Sequence, residues 1–340
     1  MDPVTQAALG ATVGQLGFQR QLGRRALFWG ALVGMLPDLD MLVKLFADPL
    51  AMFKYHRGLT HSILAGPIIG FVVGYCLWYF LDKSKQADTK LAWIGLGVWA
   101  IVTHPLLDYF TIYGTQLLAP FSDYRFYVPG VCVVDPAYTI VLFIALIFGV
   151  VFHKSAKMYI GASAVALILT SGYLFYGINI NTKAETIAKQ QLQTQGEKYN
   201  CLRAYTTLLQ PVLRRIVVHT DDEVLIGFLS VWKPKVIEWN RYNKAKIPAI
   251  AQLKKHNMGK TFSWFSGHDN LFIITHENGH RYLEMHDLRY GTPPHNTTSI
   301  WRLRAEVNEK GELISEPIKV KVNHQINNNF LKRIFVGAYG

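Results

Sequence analysis

Two long stretches without a charged side chain constrain this sequence most. Residues 62–81 and residues 158–180 are 20 and 23 residues long, and neither contains Asp, Glu, Lys or Arg. About 20 apolar residues allow a helix to cross the ~30 Å hydrocarbon core of a bilayer. Buried helices of water-soluble proteins rarely show two uncharged runs of this length. The two runs therefore predict a chain that spans a membrane.

Further apolar segments raise the expected number of spans. Residues 137–152 form a shorter uncharged run, and residues 26–36 and 91–108 are apolar runs that meet polar groups. Together the five runs predict an α-helical polytopic membrane domain of about five transmembrane helices over residues 1–180. Residues 3–16 are rich in Ala and Gly, which predicts a helix that packs closely against another helix.

Charge is distributed unevenly over the 340 residues, whose net charge is +12. Residues 1–180 contain 12 Lys and Arg, 9 Asp and no Glu, although Glu is common on solvated helices. Residues 181–340 contain 23 Lys and Arg and 14 Asp and Glu. This surplus of positive charge is typical either of a surface near anionic lipid headgroups or of an ordinary solvated face.

We expect no nucleic-acid partner, because no nucleic-acid-binding motif or basic helix is visible in the sequence. The sequence does not indicate the oligomeric state.

The second half of the chain has the pattern of a β-rich domain. Residues 181–200 are polar and predict a linker or a helix, and residues 201–340 contain strand-like runs separated by turn signals. The candidate hairpins turn at Asp221-Asp222, Asn278-Gly279 and Lys310-Gly311. We therefore expect a small antiparallel β-rich domain over residues 201–340.

Histidines are frequent in this predicted β-rich domain. Eight are present, including His268, His276, His280, His286 and His295. A second metal site is one interpretation of these histidines. Strands around a hairpin also place histidines at a surface without function, and we favour that interpretation.

The distribution of Lys and Arg orients the predicted spans. Eight cations lie in loops of one side, against four on the other, and the eight are Arg20, Arg24, Arg25, Lys83, Lys85, Lys90, Lys154 and Lys157. Cytoplasmic loops are enriched in Lys and Arg. We therefore expect a multi-pass protein of the bacterial inner membrane with a cytoplasmic N-terminus and an extracytoplasmic C-terminal domain. The first residues lack the basic region of a cleavable signal.

Six ionisable residues stand where the predicted spans meet one face of the membrane. They lie at the end of the first span, before the second span and at the end of the third span: Asp38, Asp40, His56, His61, His104 and Asp108. Ionisable groups at membrane depth are costly and usually functional. Gly58 indicates a loop before the second span, with Thr60 as a candidate helix N-cap.

The types and spacing of these residues favour a metal centre. His104 and Asp108 are four residues apart, so both project from one side of a helix and can bind the same ion. A set of nitrogen and oxygen ligands without thiolate is typical of zinc, and it also suits manganese or iron. A proton or ion pathway is the alternative interpretation.

Several motifs resemble those of a known family. The motifs are MDPVTQAALGA, LPDLD, HRGLTHS, HPLLDYFTIYGTQLLAPFSDYRF and VVDPAYT, the last containing Asp135 and Pro136, with HDLRYG near Asp287 and Arg289 in a longer-tailed branch. In this combination they resemble the YdjM-type inner-membrane metal-dependent hydrolases, a family that is also labelled LexA-binding. The resemblance is dense over the predicted membrane half and thin over the tail.

The resemblance implies a membrane enzyme that uses a metal-activated water, and its members are suspected of acting on phospholipids. It implies the metal ligands Asp38, Asp40, His56, His61, His104 and Asp108. One departure concerns the N-terminus, where relatives have Thr-His and this chain has Thr5-Gln6. Gln6 either removes a ligand or supplies an amide oxygen in its place. The LexA label fits poorly with an extracytoplasmic tail, which a cytosolic repressor cannot reach.

The expected mechanism is hydrolysis of an ester bond at the membrane interface, on a phospholipid or another lipid-like substrate. Asp38 or Asp40 is the candidate general base, because one carboxylate can remain off the metal. Arg57 or Arg125 is the candidate for holding an anionic headgroup. The alternatives are an ion or proton-coupled transporter with a His/Asp relay, and a non-catalytic membrane scaffold.

Overall fold

The computed structural model describes residues 1–46, 50–82, 86–267, 269–291, 299–321 and 328–340. The chain divides into two compact units, each of which we describe by itself. The first unit consists of Met1–Phe46 and Tyr55–Ile178, and the second consists of Ala47–Lys54 and Asn179–Gly340.

Eleven helices are present in the described residues. They are α1 (Pro3–Gly17), α2 (Gln19–Leu22), α3 (Arg25–Met35), α4 (Ala51–Tyr55), α5 (Gly66–Leu81), α6 (Ala87–Tyr109), α7 (Pro136–Val151), α8 (Ala156–Thr194), α9 (Ala249–Lys255), α10 (Asn257–Ser266) and α11 (Asn328–Tyr339). Two 3₁₀ segments, Leu36–Leu45 and Leu59–His61, separate α3 from α4 and α4 from α5.

Three helical segments are long and apolar enough to cross a membrane: Arg25–Val43, Ala87–Tyr109 and Ala156–Thr194. The bent pair of Ala51–His61 and Gly66–Leu81 gives a fourth if it counts as one span. The described part of the chain therefore supports three to four apolar helices, and the predicted number of five is not confirmed. The segment that falls short is α7, whose 16 residues extend only ~24 Å at 1.5 Å per residue.

The start of α5 differs from the expectation. The uncharged run begins at residue 62, but the helix begins at Gly66 with Pro67 in its first turn. Thr60 does not cap this helix, because its N-cap is Ala65 and no side chain bonds there. The Ser62 hydroxyl instead accepts hydrogen bonds from the backbone amides of Leu64 and Ala65.

Close contacts between small residues hold the first unit together, as predicted for the N-terminal helix. Asp2 caps α1 and Pro3 occupies its first turn. A Cβ atom on Gly10 would lie 2.2 Å from the Gly30 carbonyl oxygen of α3, so the two backbones are in direct contact. Helix α1 buries polar side chains as well as apolar ones, and Gln6 is among them.

Two four-stranded antiparallel sheets form the centre of the second unit. The first has the order β1 (Cys201–Thr206), β2 (Leu213–His219), β3 (Glu223–Ser230), β4 (Asn240–Asn243). The second has the order β5 (Asn270–Glu277), β6 (His280–Asp287), β7 (Trp301–Glu306), β8 (Ile318–Lys321). The prediction of an antiparallel β-rich region after the membrane half is confirmed.

The hairpin between β5 and β6 turns where the sequence indicates. Asn278 and Gly279 both have positive φ, of 52° and 80°, and Glu277 pairs directly with His280. This is the backbone of a tight two-residue turn that favours Asn-Gly.

Residues 181–194, which the sequence assigns to a linker or a helix, are the end of α8. Ala184, Ala188 and Leu192 of this segment are buried in one cluster with residues of the first sheet such as Ile216 and Val218. Although most residues of the segment are polar, one narrow face of the helix is therefore apolar and buried.

Candidate metal centre

Short segments after α3 and before α5 bring their polar residues to the end of α6 within the first unit. Asp38 lies in the 3₁₀ segment that follows α3, just after Pro37. His61 ends the 3₁₀ segment that precedes α5. His104 and Asp108 occupy the last turns of α6. The residues flank three predicted spans, and the structure brings them close together.

Four side chains offer one ligand atom each to a common point. The Nε2 atoms of His61 and His104 are 3.0 Å apart, and Asp38 Oδ1 lies 3.4 Å from each of them. Asp108 Oδ2 lies 3.4 Å from His61 Nε2 and 3.6 Å from His104 Nε2. Ligands about 2.1 Å from a zinc ion lie about 3.4 Å apart when the geometry is tetrahedral. The four residues, which we call the central cluster, therefore fit a zinc-sized ion.

The hydrogen bonds of the two imidazole rings explain why the central cluster suits a cation. His104 Nδ1 donates to the Gly34 carbonyl oxygen over 2.6 Å. His61 Nδ1 lies 3.0 Å from Thr60 Oγ1 and 3.2 Å from Asp40 Oδ2. With the protons on Nδ1, both Nε2 atoms present lone pairs to each other. Two lone pairs 3.0 Å apart repel unless a cation or a proton lies between them, and ligating histidines in proteins are oriented in this way.

Asp40 and His56 form a second layer beside the central cluster. Asp40 Oδ1 accepts from His56 Nδ1 over 2.7 Å, which is a typical charge-assisted hydrogen bond. Its other oxygen accepts from the Arg57 amide over 3.0 Å and from the Thr60 hydroxyl over 2.6 Å. Asp40, His56 and His61 are also close enough to hold an ion. We favour an orienting role, because hydrogen-bond donors already occupy both Asp40 oxygens.

Arg57 is buried against the central cluster. Its Nε atom lies 2.9 Å from Asp108 Oδ2, and its guanidinium donates to Thr111 Oγ1 over 2.6 Å. The backbone of Arg57 has a φ of 61°, an uncommon conformation for a residue with a side chain. A role in holding a headgroup stays a prediction, and it requires Arg57 to share its guanidinium between Asp108 and the ligand.

Arg125, the other arginine considered for a headgroup, is also buried. It donates to the carbonyl oxygens of Gly114, over 2.8 Å, and His56. Its guanidinium lies 5.0 Å from the centre of the Tyr113 ring. These contacts indicate that Arg125 fixes the loop around His56.

Gln6, the departure from the family motif, lies at the same place. Its Nε2 donates to Asp108 Oδ1 over 3.1 Å and to the His104 carbonyl oxygen over 3.3 Å. Its Oε1 is buried, and no hydrogen-bond partner for it is found in the described residues. Asp108 also contacts the amino nitrogen of Met1. Gln6 therefore borders the central cluster.

The partners that hold these groups in place were not predicted from the sequence. Thr111 follows Asp108 by three residues, so helical spacing was a usable signal. The Gly34 carbonyl had no signal, because any residue supplies the same backbone atom.

Two of the tail histidines pair with glutamates of the second unit. His286 Nε2 lies 2.8 Å from Glu284, and His280 Nδ1 lies 2.6 Å from Glu306. His268 and His295 lie outside the described residues.

Several apolar helices and a cluster of two His and two Asp define an integral membrane protein with a candidate metal centre. The family profile "YdjM inner membrane protein" matches residues 1–181, more than half of the chain, and the chain belongs to this family. All six predicted site residues lie within the match, and an inner-membrane location follows from the family and the apolar helices. The orientation of the termini stays a prediction.

Two curated proteins resemble the chain. It is 32% identical to the inner membrane protein YbcI of Escherichia coli (strain K12) over 128 residues, which are 37% of this chain and 71% of YbcI. It is 36% identical to the uncharacterized protein YfhP of Bacillus subtilis (strain 168) over 86 residues. That match spans only a quarter of each chain. No solved structure matches the chain.

Proposed function

We propose that this protein is a membrane-bound metal-dependent hydrolase that cleaves an ester bond of a phospholipid or another lipid-like substrate. The observation that carries the proposal is the central cluster, in which Asp38, His61, His104 and Asp108 direct four ligand atoms toward one point. Zinc is the metal that this set suits best, and manganese and iron accept the same nitrogen and oxygen donors.

A bound divalent ion would supply Lewis acidity and lower the pKa of a coordinated water. The chain itself supplies the positioning. Thr60 and Asp40 hold His61 Nδ1, and the Gly34 carbonyl holds His104 Nδ1, so that both Nε2 atoms face the centre. These bonds fix the ligands before any substrate arrives.

Asp38 is the better candidate for the general base; in that role it would remain off the ion, which His61, His104 and Asp108 would hold. The sequence left Asp38 and Asp40 as alternatives, but both oxygens of Asp40 already accept hydrogen bonds. The Asp38 side chain is 11% exposed, whereas those of His61, His104 and Asp108 are fully buried. Water reaches the central cluster most easily beside Asp38. Arg57 carries positive charge next to Asp108, where it can stabilise negative charge on a substrate.

An ion or proton-coupled transporter is the second candidate function. The 3.0 Å separation of His61 Nε2 and His104 Nε2 is also a hydrogen-bond distance, so one proton shared between the rings would satisfy the same geometry. Buried ionisable chains of this kind occur in proton relays. The two functions differ in whether purified protein carries a metal.

The test is hydrolysis by metal-loaded protein in phospholipid nanodiscs, with phosphoester, carboxyl-ester and amide lipid analogues as substrates. We expect one of the two ester classes to be cleaved, with activity lost on chelation and restored by zinc. Asp38→Asn should lower kcat by about 100-fold or more, since general-base catalysis contributes on this order. Asp123→Asn, at an exposed carboxylate of the same unit, should leave kcat unchanged. A metal-loaded protein that is inert toward all three classes would contradict the proposal.

A further inference from the structure

The second unit exposes an aromatic surface that its fold does not require. Loop residues 232–236 and the outer side of α11 meet there: the rings of Trp232 and Tyr339 are 5.7 Å apart. Phe335 stacks on Tyr339 at 6.2 Å, and Lys233 Nζ donates to the Tyr339 carbonyl oxygen over 2.7 Å. We call these two segments together the aromatic–lysine patch.

Large apolar side chains in this patch face solvent. Val236 is 74% exposed, Trp232 60%, Val336 57% and Phe335 45%. The opposite side of α11 is already docked, because Ala338 is buried against Val212 and Leu213. The outer side of α11 is therefore exposed although the helix is docked. Because α11 is apolar on its exposed side in addition to its docked side, we expect the exposed side to bind a partner.

The charge of the patch indicates what that partner is. Lys233, Lys235 and Lys332 are exposed in it, and residues 231–237 and 328–340 contain no Asp or Glu. Trp and Tyr are enriched at the depth of lipid headgroups, and Lys next to them attracts anionic lipids. Protein interfaces, by contrast, are depleted in Lys. The combination favours a lipid surface over a protein.

We propose that the aromatic–lysine patch binds the anionic headgroups of the bilayer in which the chain is anchored. Helix α8 is continuous from its apolar segment into the second unit, whose main segment begins at Asn179. This covalent link keeps the second unit near lipid and raises the effective concentration of headgroups around it. The lipid contact is independent of the central cluster and of any hydrolase activity.

The test measures whether Trp232 touches lipid. The full chain is reconstituted in nanodiscs of phosphatidylcholine alone or mixed with phosphatidylglycerol, each with bromine-labelled acyl chains that quench Trp on contact. The difference between wild type and Trp232→Phe isolates the Trp232 fluorescence. We expect this component to be quenched in the anionic discs and much less in the neutral ones.

Charge variants test the role of the lysines. Each Lys near an anionic surface changes the attachment equilibrium about fivefold. Lys233→Glu with Lys235→Glu should therefore abolish the quenching of Trp232, and Lys332→Glu on the other segment should weaken it. The matched control is Lys255→Glu with Lys260→Glu, which changes net charge equally at exposed positions of α9 and α10. The control should be quenched like wild type.

Three results would overturn the proposal. One is a Trp232 component that aqueous iodide quenches but brominated lipid does not. Another is equal quenching in neutral and anionic discs. The third is protection of Trp232 from iodide that occurs only when a disc holds two protein copies, which would assign the patch to self-association.

Discussion

The protonation pattern of two histidines decides what the central cluster can bind. His104 Nδ1 donates a hydrogen bond to a backbone carbonyl oxygen, and His61 directs Nδ1 toward Thr60 and Asp40. Both Nε2 atoms are left as acceptors next to two carboxylates. Such an arrangement is unfavourable without a positive charge at its centre. Asp40 lies outside the four ligand atoms and contacts His61 from the Nδ1 side.

Asp40→Asn tests this positioning role. The amide keeps the shape of the side chain but removes the charge that orients His56 and His61. Loss of such a partner costs 10–100-fold in metal affinity as a rule, and we expect a decrease of about that size. Competition with a coloured chelator measures the affinity, and Asp123→Asn serves as the matched control. An unchanged affinity in Asp40→Asn would show that Asp40 does not orient a ligand.

Glu284 in β6 gives a prediction about pH. Burial alone would raise the pKa of Glu284, but a hydrogen bond from His286 and the nearby guanidinium groups of Arg304 and Arg302 lower this pKa to about 2. The ordinary value is 4.5, so the unfolded chain binds the proton more tightly. The second sheet should therefore be stabilised above pH 4.5 and should lose roughly 2 kcal/mol as pH falls toward 2.

Hydrogen exchange of β6 amides, corrected for intrinsic rates, measures this loss. Glu284→Gln is the control and should flatten the pH dependence over the same interval. An identical pH dependence in the variant and in wild type would assign the effect to other carboxylates.

Sequence reasoning identified the six ionisable residues but not their division into two layers. They were recognisable because charge is expensive near a membrane. Whether a carboxylate binds an ion or only orients a ligand depends on distances that must be known to better than 1 Å. The hydrogen bond of 2.7 Å between Asp40 and His56 is such a distance. Spacing along a chain does not resolve distances of that size.

Among the elements, α1 and α3 approach each other closely enough to constrain their sequences. Gly10 and Gly30 face each other so closely that neither tolerates a Cβ atom without movement of a backbone. Helices in membranes associate through such contacts, because no hydrophobic effect operates between them. The same packing holds Gln6 of α1 next to Asp108 of α6.

Gly10→Ala should destabilise the first unit. Overpacking of this kind costs about 1–3 kcal/mol. Gly17→Ala in the same helix is the matched control, because nothing lies within 4 Å of its Cβ position. Thermal unfolding in detergent compares the two variants. We expect a lower midpoint for Gly10→Ala alone, and equal midpoints for both variants would contradict the close contact.

The elements that the sequence predicted well are those with strong local signals. The Asn278-Gly279 hairpin follows from turn chemistry, and the end of α6 follows from the apolar run over residues 91–108. The extension of α8 to Thr194 was ambiguous, because its apolar stripe consists mainly of small residues such as Ala184 and Ala188. Helices α9 to α11 are short, and α11 packs on strand residues such as Leu213 that lie far away in sequence.

At the scale of the whole molecule, the family match and the first unit end at nearly the same place. The match ends at residue 181 and the first unit at Ile178, whereas both sheets lie beyond them. The family match therefore covers the helical unit, including the four residues of the central cluster. The second unit must be understood from its own surface, of which the aromatic–lysine patch is the most distinctive part.

The most direct test of the account is the metal content of detergent-purified protein. Mass spectrometry of the bound metal would compare wild type, His61→Ala, Asp108→Ala and the control His153→Ala, at an exposed histidine of the same unit. The account predicts a divalent metal in wild type and His153→Ala and its loss from the other two variants. Equal metal content in all four proteins would contradict a metal centre at the central cluster.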